Sequence, residues 1–114
     1  MATSYQAVAK QIPVSAQKAR LVLDTIRGHG VQEALEALRF VPNKAAGPIM
    51  KVVRSAMYNA EENFGVSRND LYIHTIFADV GRTRKWRRFG ARGRFKPWLR
   101  RSSHITVILR EREE

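Results

Sequence analysis

The sequence predicts an α+β fold: three helices packed on a small antiparallel sheet, with one long basic β-hairpin protruding from it. Three observations predict this. Apolar residues recur at helical spacing from Ser15 to about Asn63, then switch to a period of two at Leu71, Ile73 and Phe77. The same alternation returns at Ile105, Val107 and Leu109. Between the two alternating runs there is no acidic residue from Val80 to Arg110, and Gly90 and Gly93 mark a turn inside that stretch.

The elements follow in order. Tyr5 to Ile12 alternates weakly and is stopped by Pro13, which predicts a short strand. Ser15 is a good N-cap, because its hydroxyl can accept from a first-turn N–H. After it, Ala19, Val22, Leu23 and Ile26 share one helical face, and Gly28 stands at the C-terminal cap position. Val31, Ala34, Leu35 and Leu38 repeat the pattern in a second, short helix. A third carries Ile49, Val52, Val53, Ala56 and Ala60 on one face and ends at Gly65. Pro48 lacks an N–H and clashes one turn back, so the regular helix should begin near Gly47, or kink. A hairpin tip centred on Ala91 pairs Phe77 with Ile105 and Ile73 with Leu109, putting odd positions on one apolar face against the helices. The same register makes Trp86 and Trp98 diagonal neighbours on the opposite face.

At 114 residues the chain is expected to form a single domain, 1–114. It divides into a body (1–81 plus 102–114) and an arm (82–101). Charge divides the same way. Residues 1–79 hold nine cations and seven anions, a net of +2, whereas residues 80–114 hold twelve and three, a net of +9. A chain with net charge +11 attracts polyanions, while its 44% hydrophobic content is enough for a packed core. Each arm of the hairpin should reach roughly 30 Å past the body at about 3.3 Å per residue. Self-repulsion should leave it mobile in water and ordered only among phosphates.

Several function classes are excluded. Zero cysteines rule out disulfide frameworks, thiolate zinc sites and cysteine nucleophiles. Three scattered histidines (His29, His74, His104) make no metal-ligand spacing, and Glu61 and Glu62, adjacent in sequence, do not face each other on a helix. No catalytic residues, metal or cofactor are expected, so the chain is read as a non-enzyme. No apolar run approaches the roughly 18 residues that span a bilayer, and Met1 to Tyr5 lacks a secretion-signal pattern. No membrane partner is therefore expected, and the chain is read as a small soluble intracellular protein, in the cytoplasm or in an organelle.

The arm carries Arg82, Arg84, Lys85, Arg87, Arg88, Arg92, Arg94, Lys96, Arg100 and Arg101, eight of its ten cations being arginine. Guanidinium binds phosphate bidentately and stacks on bases, which ammonium does less well. Trp86, Phe89, Phe95 and Trp98 are interleaved with these cations, and such aromatics serve as stacking platforms for unpaired bases. Cross-strand packing that stiffens the ribbon is the competing reading for the tryptophans.

The run from Ser15 to Gly28, with Lys51-Val52, Ser55-Ala56 and Asn59-Ala60, closely resembles the large-subunit ribosomal protein family numbered twenty-two. Arg101-Ser102-Ser103-His104-Ile105-Thr106-Val107 is similar to that family's return strand. The similarity runs in order along nearly the whole chain. It implies binding to large-subunit ribosomal RNA during assembly, beside neighbouring ribosomal proteins. It further implies a tip, Arg84, Lys85, Trp86, Arg87, Arg88, Phe89, Gly90, Ala91, Arg92 and Gly93, that lines the nascent-peptide exit tunnel. The nascent peptide and macrolide-type ligands would then be partners near Arg84, Lys85 and Trp86. The sequence departs from the family pattern at Val80, Arg82, Trp86 and Phe89-Gly90.

In the body, Lys10, Lys18, Arg20 and Arg27 are candidate RNA contacts, and Ser103 and His104 are candidates where the arm rejoins it. Ser15 is expected to serve as a helix cap and His29 as an exposed loop residue. A DNA-architectural protein with a basic hairpin arm is the alternative, since such arms wedge apolar residues into the minor groove. The stacking aromatics favour RNA.

Overall fold

The computed structural model describes residues 4–89 and 95–112, and for 84–89 and 95–100 it describes the course of the backbone. Strand β1 (Ser4–Ile12) leads into helix α1 (Ala16–Ile26), then α2 (Val31–Leu38) and α3 (Ala46–Phe64). A 3-10 turn (Arg68–Asp70) introduces β2 (Leu71–Val80), followed by β3 (Arg84–Phe89), β4 (Phe95–Arg100) and β5 (Ser103–Glu111). Each helix boundary has a local cause. The Ser15 hydroxyl accepts from the Lys18 N–H, capping α1. Gly65 sits in the left-handed region at φ 67° and ends α3, with the Gly65 and Val66 N–H groups donating to Glu61 O and Ala60 O. The third helix is regular from Ala46, one residue before the expected start. Pro48 falls in its first turn, where N–H groups have no intrahelical partner, so nothing is lost.

β5 is the centre of a three-stranded antiparallel sheet of order β1-β5-β2, and β3 and β4 form a separate two-stranded ribbon. Alternation along β5 puts Ile105, Val107 and Leu109 on the buried face at zero exposure. They pack into one cluster with Leu23 and Ile26 of α1, Val31 and Leu38 of α2, and Ile49 and Val53 of α3. The molecule measures 66 × 25 × 19 Å, more than twice as long as wide.

The fold class stands as expected, but the register does not. Ile73 pairs with Leu109 as predicted, yet a bulge between Ile73 and Thr75 then puts β2 one residue ahead. Phe77 consequently faces Thr106 instead of Ile105, and it is 38% exposed. Ile76 and Ala78 take the buried positions, so the apolar face of β2 switches from odd to even residues. A second extra residue enters between Val80↔Ser103 and Arg84↔Arg100, where three residues oppose two. Trp86 is therefore directly opposite Trp98, not diagonal to it. A period of two does not survive an inserted residue.

The outer edge of β2 is covered by the end of α1. Gly28, at φ 85°, donates to Ile73 O, and Ile73 N donates back to His29 O. Further along the same edge, Arg27 donates to Ile76 O at 2.8 Å, and Arg20 donates twice to Ala78 O at 3.1 and 2.8 Å. Open strand carbonyls invite pairing with another chain. Two guanidiniums, Arg20 within α1 and Arg27 at its C-cap, close them here.

Candidate nucleic-acid interface

The arm leaves the body between Val80 and Arg84 and returns between Arg100 and Ser103. Beside this root lies a cavity of about 510 Å³. Its walls are Ser15, Ala16, Gln17 and Arg20 of α1, Val80 and Thr83 at the end of β2, and Arg101 and Ser102 on the return. The first turn of α1 brings N–H groups and the positive end of the helix dipole to the cavity. Arg20 spends two N–H groups on Ala78 O and keeps the others, while Arg101 is exposed. Two guanidiniums and a helix start around a hydroxyl-lined hollow suit a phosphate.

The root is held by contacts from three strands. Gly81 N donates to Ser102 O at 2.9 Å. The Ser102 hydroxyl lies 2.8 Å from Arg82 O and 2.9 Å from the Gln11 side-chain amide. Having one proton, that hydroxyl donates to Arg82 O and accepts from Gln11 once the amide is turned with its NH2 inward. Gln11 occupies the bulge of β1 at φ 56°, and its N–H donates to His104 Nδ1 at 3.1 Å. Sequence reasoning missed Gln11. A polar residue two positions before Pro13 gave no period and no motif to find it by.

The predicted site residues separate into groups. Arg20 and Arg101 meet in the root cavity, with Arg82 adjoining through its carbonyl. Lys18 is exposed in the first turn of α1, and Lys10 is exposed on β1. Arg27 binds Asp24 at 2.6 Å as well as Ile76 O, which makes it a brace of the body. His104 is half-buried and occupied with Gln11. Ser103 is fully buried, its hydroxyl without a partner, so it presents no surface to a ligand; Ser102 lines the cavity in its stead.

In the ribbon, Arg84 is opposite Arg100, Trp86 opposite Trp98, Arg88 opposite Lys96 and Phe89 opposite Phe95. Lys85 and Arg87 pair with Leu99 and Pro97. Among the described residues no third strand joins this pair. The tip residues Gly90, Ala91, Arg92, Gly93 and Arg94 lie outside the described residues. Among the described residues no cluster of three or more His, Asp or Glu could hold a metal, and no helix is long and apolar enough to cross a membrane.

A weakly charged α+β body bearing a basic ribbon, with a cationic hollow at the ribbon's root, defines a small binding protein of the polyanion-recognising class. Comparison with known proteins makes this specific. Residues 7–110 match the family described as ribosomal protein L22p/L17e. The chain is 46% identical over 112 residues to the large ribosomal subunit protein uL22 of Pediococcus pentosaceus, covering 98% of this chain and 95% of that one. It is 48% identical over 109 residues to the uL22 protein of Carboxydothermus hydrogenoformans, covering 96% of each. The chain belongs to the ribosomal protein L22p/L17e family.

Proposed function

We propose that this chain is a structural constituent of the large ribosomal subunit that binds and organises large-subunit ribosomal RNA, with the ribbon placed between RNA segments. Its role is architectural, not enzymatic. The observation that carries this reading is the separation of charge: ten cations and no acidic residue in residues 82–101, whose strands β3 and β4 pair with each other, beside a cationic root cavity. Such a ribbon needs an external counter-charge. The body (1–81 plus 102–114) anchors it, and the arm (82–101) reaches out. By family resemblance, Arg84 to Gly93 line the nascent-peptide exit tunnel, close to the nascent peptide and to macrolide-type ligands. Trp86 and Trp98, at one register position between Arg84↔Arg100 and Arg88↔Lys96, supply stacking groups among phosphate-binding ones.

A salt titration tests this. If about eight arm cations meet phosphates, log K falls against log salt with a slope of roughly −6 to −7. Competition between a structured large-subunit RNA fragment and random duplex DNA separates this role from the DNA-architectural alternative. Preference for the RNA supports it, and equal affinity overturns it.

A further inference from the structure

We infer that the groove between α2 and α3 is a second RNA site, where Arg39 and Arg54 hold phosphates of a strand whose base stacks on Tyr58. This rests on the reading of the chain as a ribosomal RNA-binding protein, and it concerns a different part of the body from the arm root. The groove has a volume of about 600 Å³ and is walled by α2, α3 and the 3-10 turn. Arg54 and Tyr58, four residues apart on α3, lie on one helix face, and Arg39 ends α2 across from them.

Three features point to a nucleic-acid strand. First, the charges differ in how they are answered. Arg68 is held by both Glu61 oxygens, at 2.6 and 3.0 Å. Arg39 and Arg54 take part in none of the ion pairs among the described residues, and both are exposed. Second, the Arg68 guanidinium, fixed by Glu61, stands 6.0 Å from the centre of the Tyr58 ring, and Tyr58 as a whole remains 44% exposed. A partly exposed ring beside a fixed guanidinium is a ready stacking surface. Third, Phe40, next to Arg39 in the chain, is 83% exposed, so the end of α2 also leaves an aromatic residue open to solvent. Arg39, Arg54 and Arg68 outnumber Glu36, the one carboxylate on the groove wall, and guanidiniums in excess beside a partly exposed tyrosine match the mixture of phosphate and base that single-stranded and looped RNA presents.

The test uses the full chain and a structured large-subunit RNA transcript, titrated over a range of potassium chloride. Each phosphate contact contributes about 0.7–0.9 to the slope of log K against log salt. The double variant Arg39→Gln/Arg54→Gln should therefore lower the slope by about 1.4–1.8 and weaken binding about 15- to 30-fold at 0.15 M salt. Tyr58→Phe should bind like the parent and Tyr58→Ala about fivefold or more weaker. Both arginines are exposed, so an unchanged urea midpoint should accompany the loss. Arg101→Gln, at the arm root, serves as the control for RNA binding as such. If Arg101→Gln lowers the slope while the double variant keeps the parent slope, the groove assignment is overturned and the RNA-binding reading stands. If the parent shows no preference for the RNA, the underlying reading fails. A double variant that binds RNA normally yet no longer joins assembling particles would make the groove a protein contact, which also overturns the inference.

Discussion

Replacing Gly81 with alanine probes how tightly the arm is set into the body. A Cβ built on Gly81 would lie 2.6 Å from Ser102 Oγ, 3.1 Å from Ser102 C and 3.2 Å from Ser102 O. The first contact is impossible as it stands. Turning the Ser102 side chain away relieves it but gives up the hydrogen bonds to Arg82 O and Gln11. The other two contacts are with backbone, and Gly81 N is itself bonded to Ser102 O, so the strands cannot part without losing that bond too. Overpacking of this kind costs about 1–3 kcal/mol. With a urea m-value of about 1 kcal/mol/M for a domain of this size, the unfolding midpoint should fall by about 1–3 M. The companion Ser102→Gly in the Gly81→Ala background removes the shortest contact and leaves the other two. It should recover only part of the loss. Since no charge is removed, the salt slope of RNA binding should not change even as affinity drops through the reoriented arm. A Gly81→Ala protein with the parent midpoint and parent RNA affinity would show the close approach at the root to be wrong.

Three further expectations test separate parts of the structure. Because the bulge turns Ile76 inward and Phe77 outward, Ile76→Ala should cost about 2–5 kcal/mol and Phe77→Ala about 1 kcal/mol or less in denaturant unfolding. Equal costs would return β2 to the unbulged register. Arg20→Met keeps the aliphatic stem but loses both bonds to Ala78 O, and should cost about 1–2 kcal/mol. Tm should then fall by roughly 5 °C or more, and a fall of less than about 2 °C would mean that Arg20 does not brace the β2 edge. Deleting Lys85 to Gly93 should leave a body that still unfolds cooperatively, since the helices with β1, β2 and β5 already supply a continuous core cluster; a broad, non-cooperative transition would refute the division into body and arm.

The helices were legible residue by residue, because each carries its own signals. Ser15 caps, Gly28 and Gly65 stop, and the apolar spacing repeats within one turn. The charge of the arm was equally plain. What could not be read was any fact that depends on one inserted residue. The bulge near His74 left a trace in the three-residue step from Ile73 to Ile76, but a regular alternation through Phe77 fitted the same letters until β5 set the pairing. The central place of β5 was likewise hidden, because β1 joins it from the far end of the chain.

The site divides along the same line. Composition and the acid-free run are enough to say that this chain meets a polyanion and where its cations are concentrated. They cannot say which cations are free. Arg20 and Arg27 read as surface charges on α1, yet in the fold they close the β2 edge, and Ser103 reads as a polar contact yet is buried. A charge is a property of the residue, so it survives in the letters. Whether its hydrogen-bonding capacity is already taken depends on carbonyls some fifty residues away, which come within reach only when helix and sheet pack together.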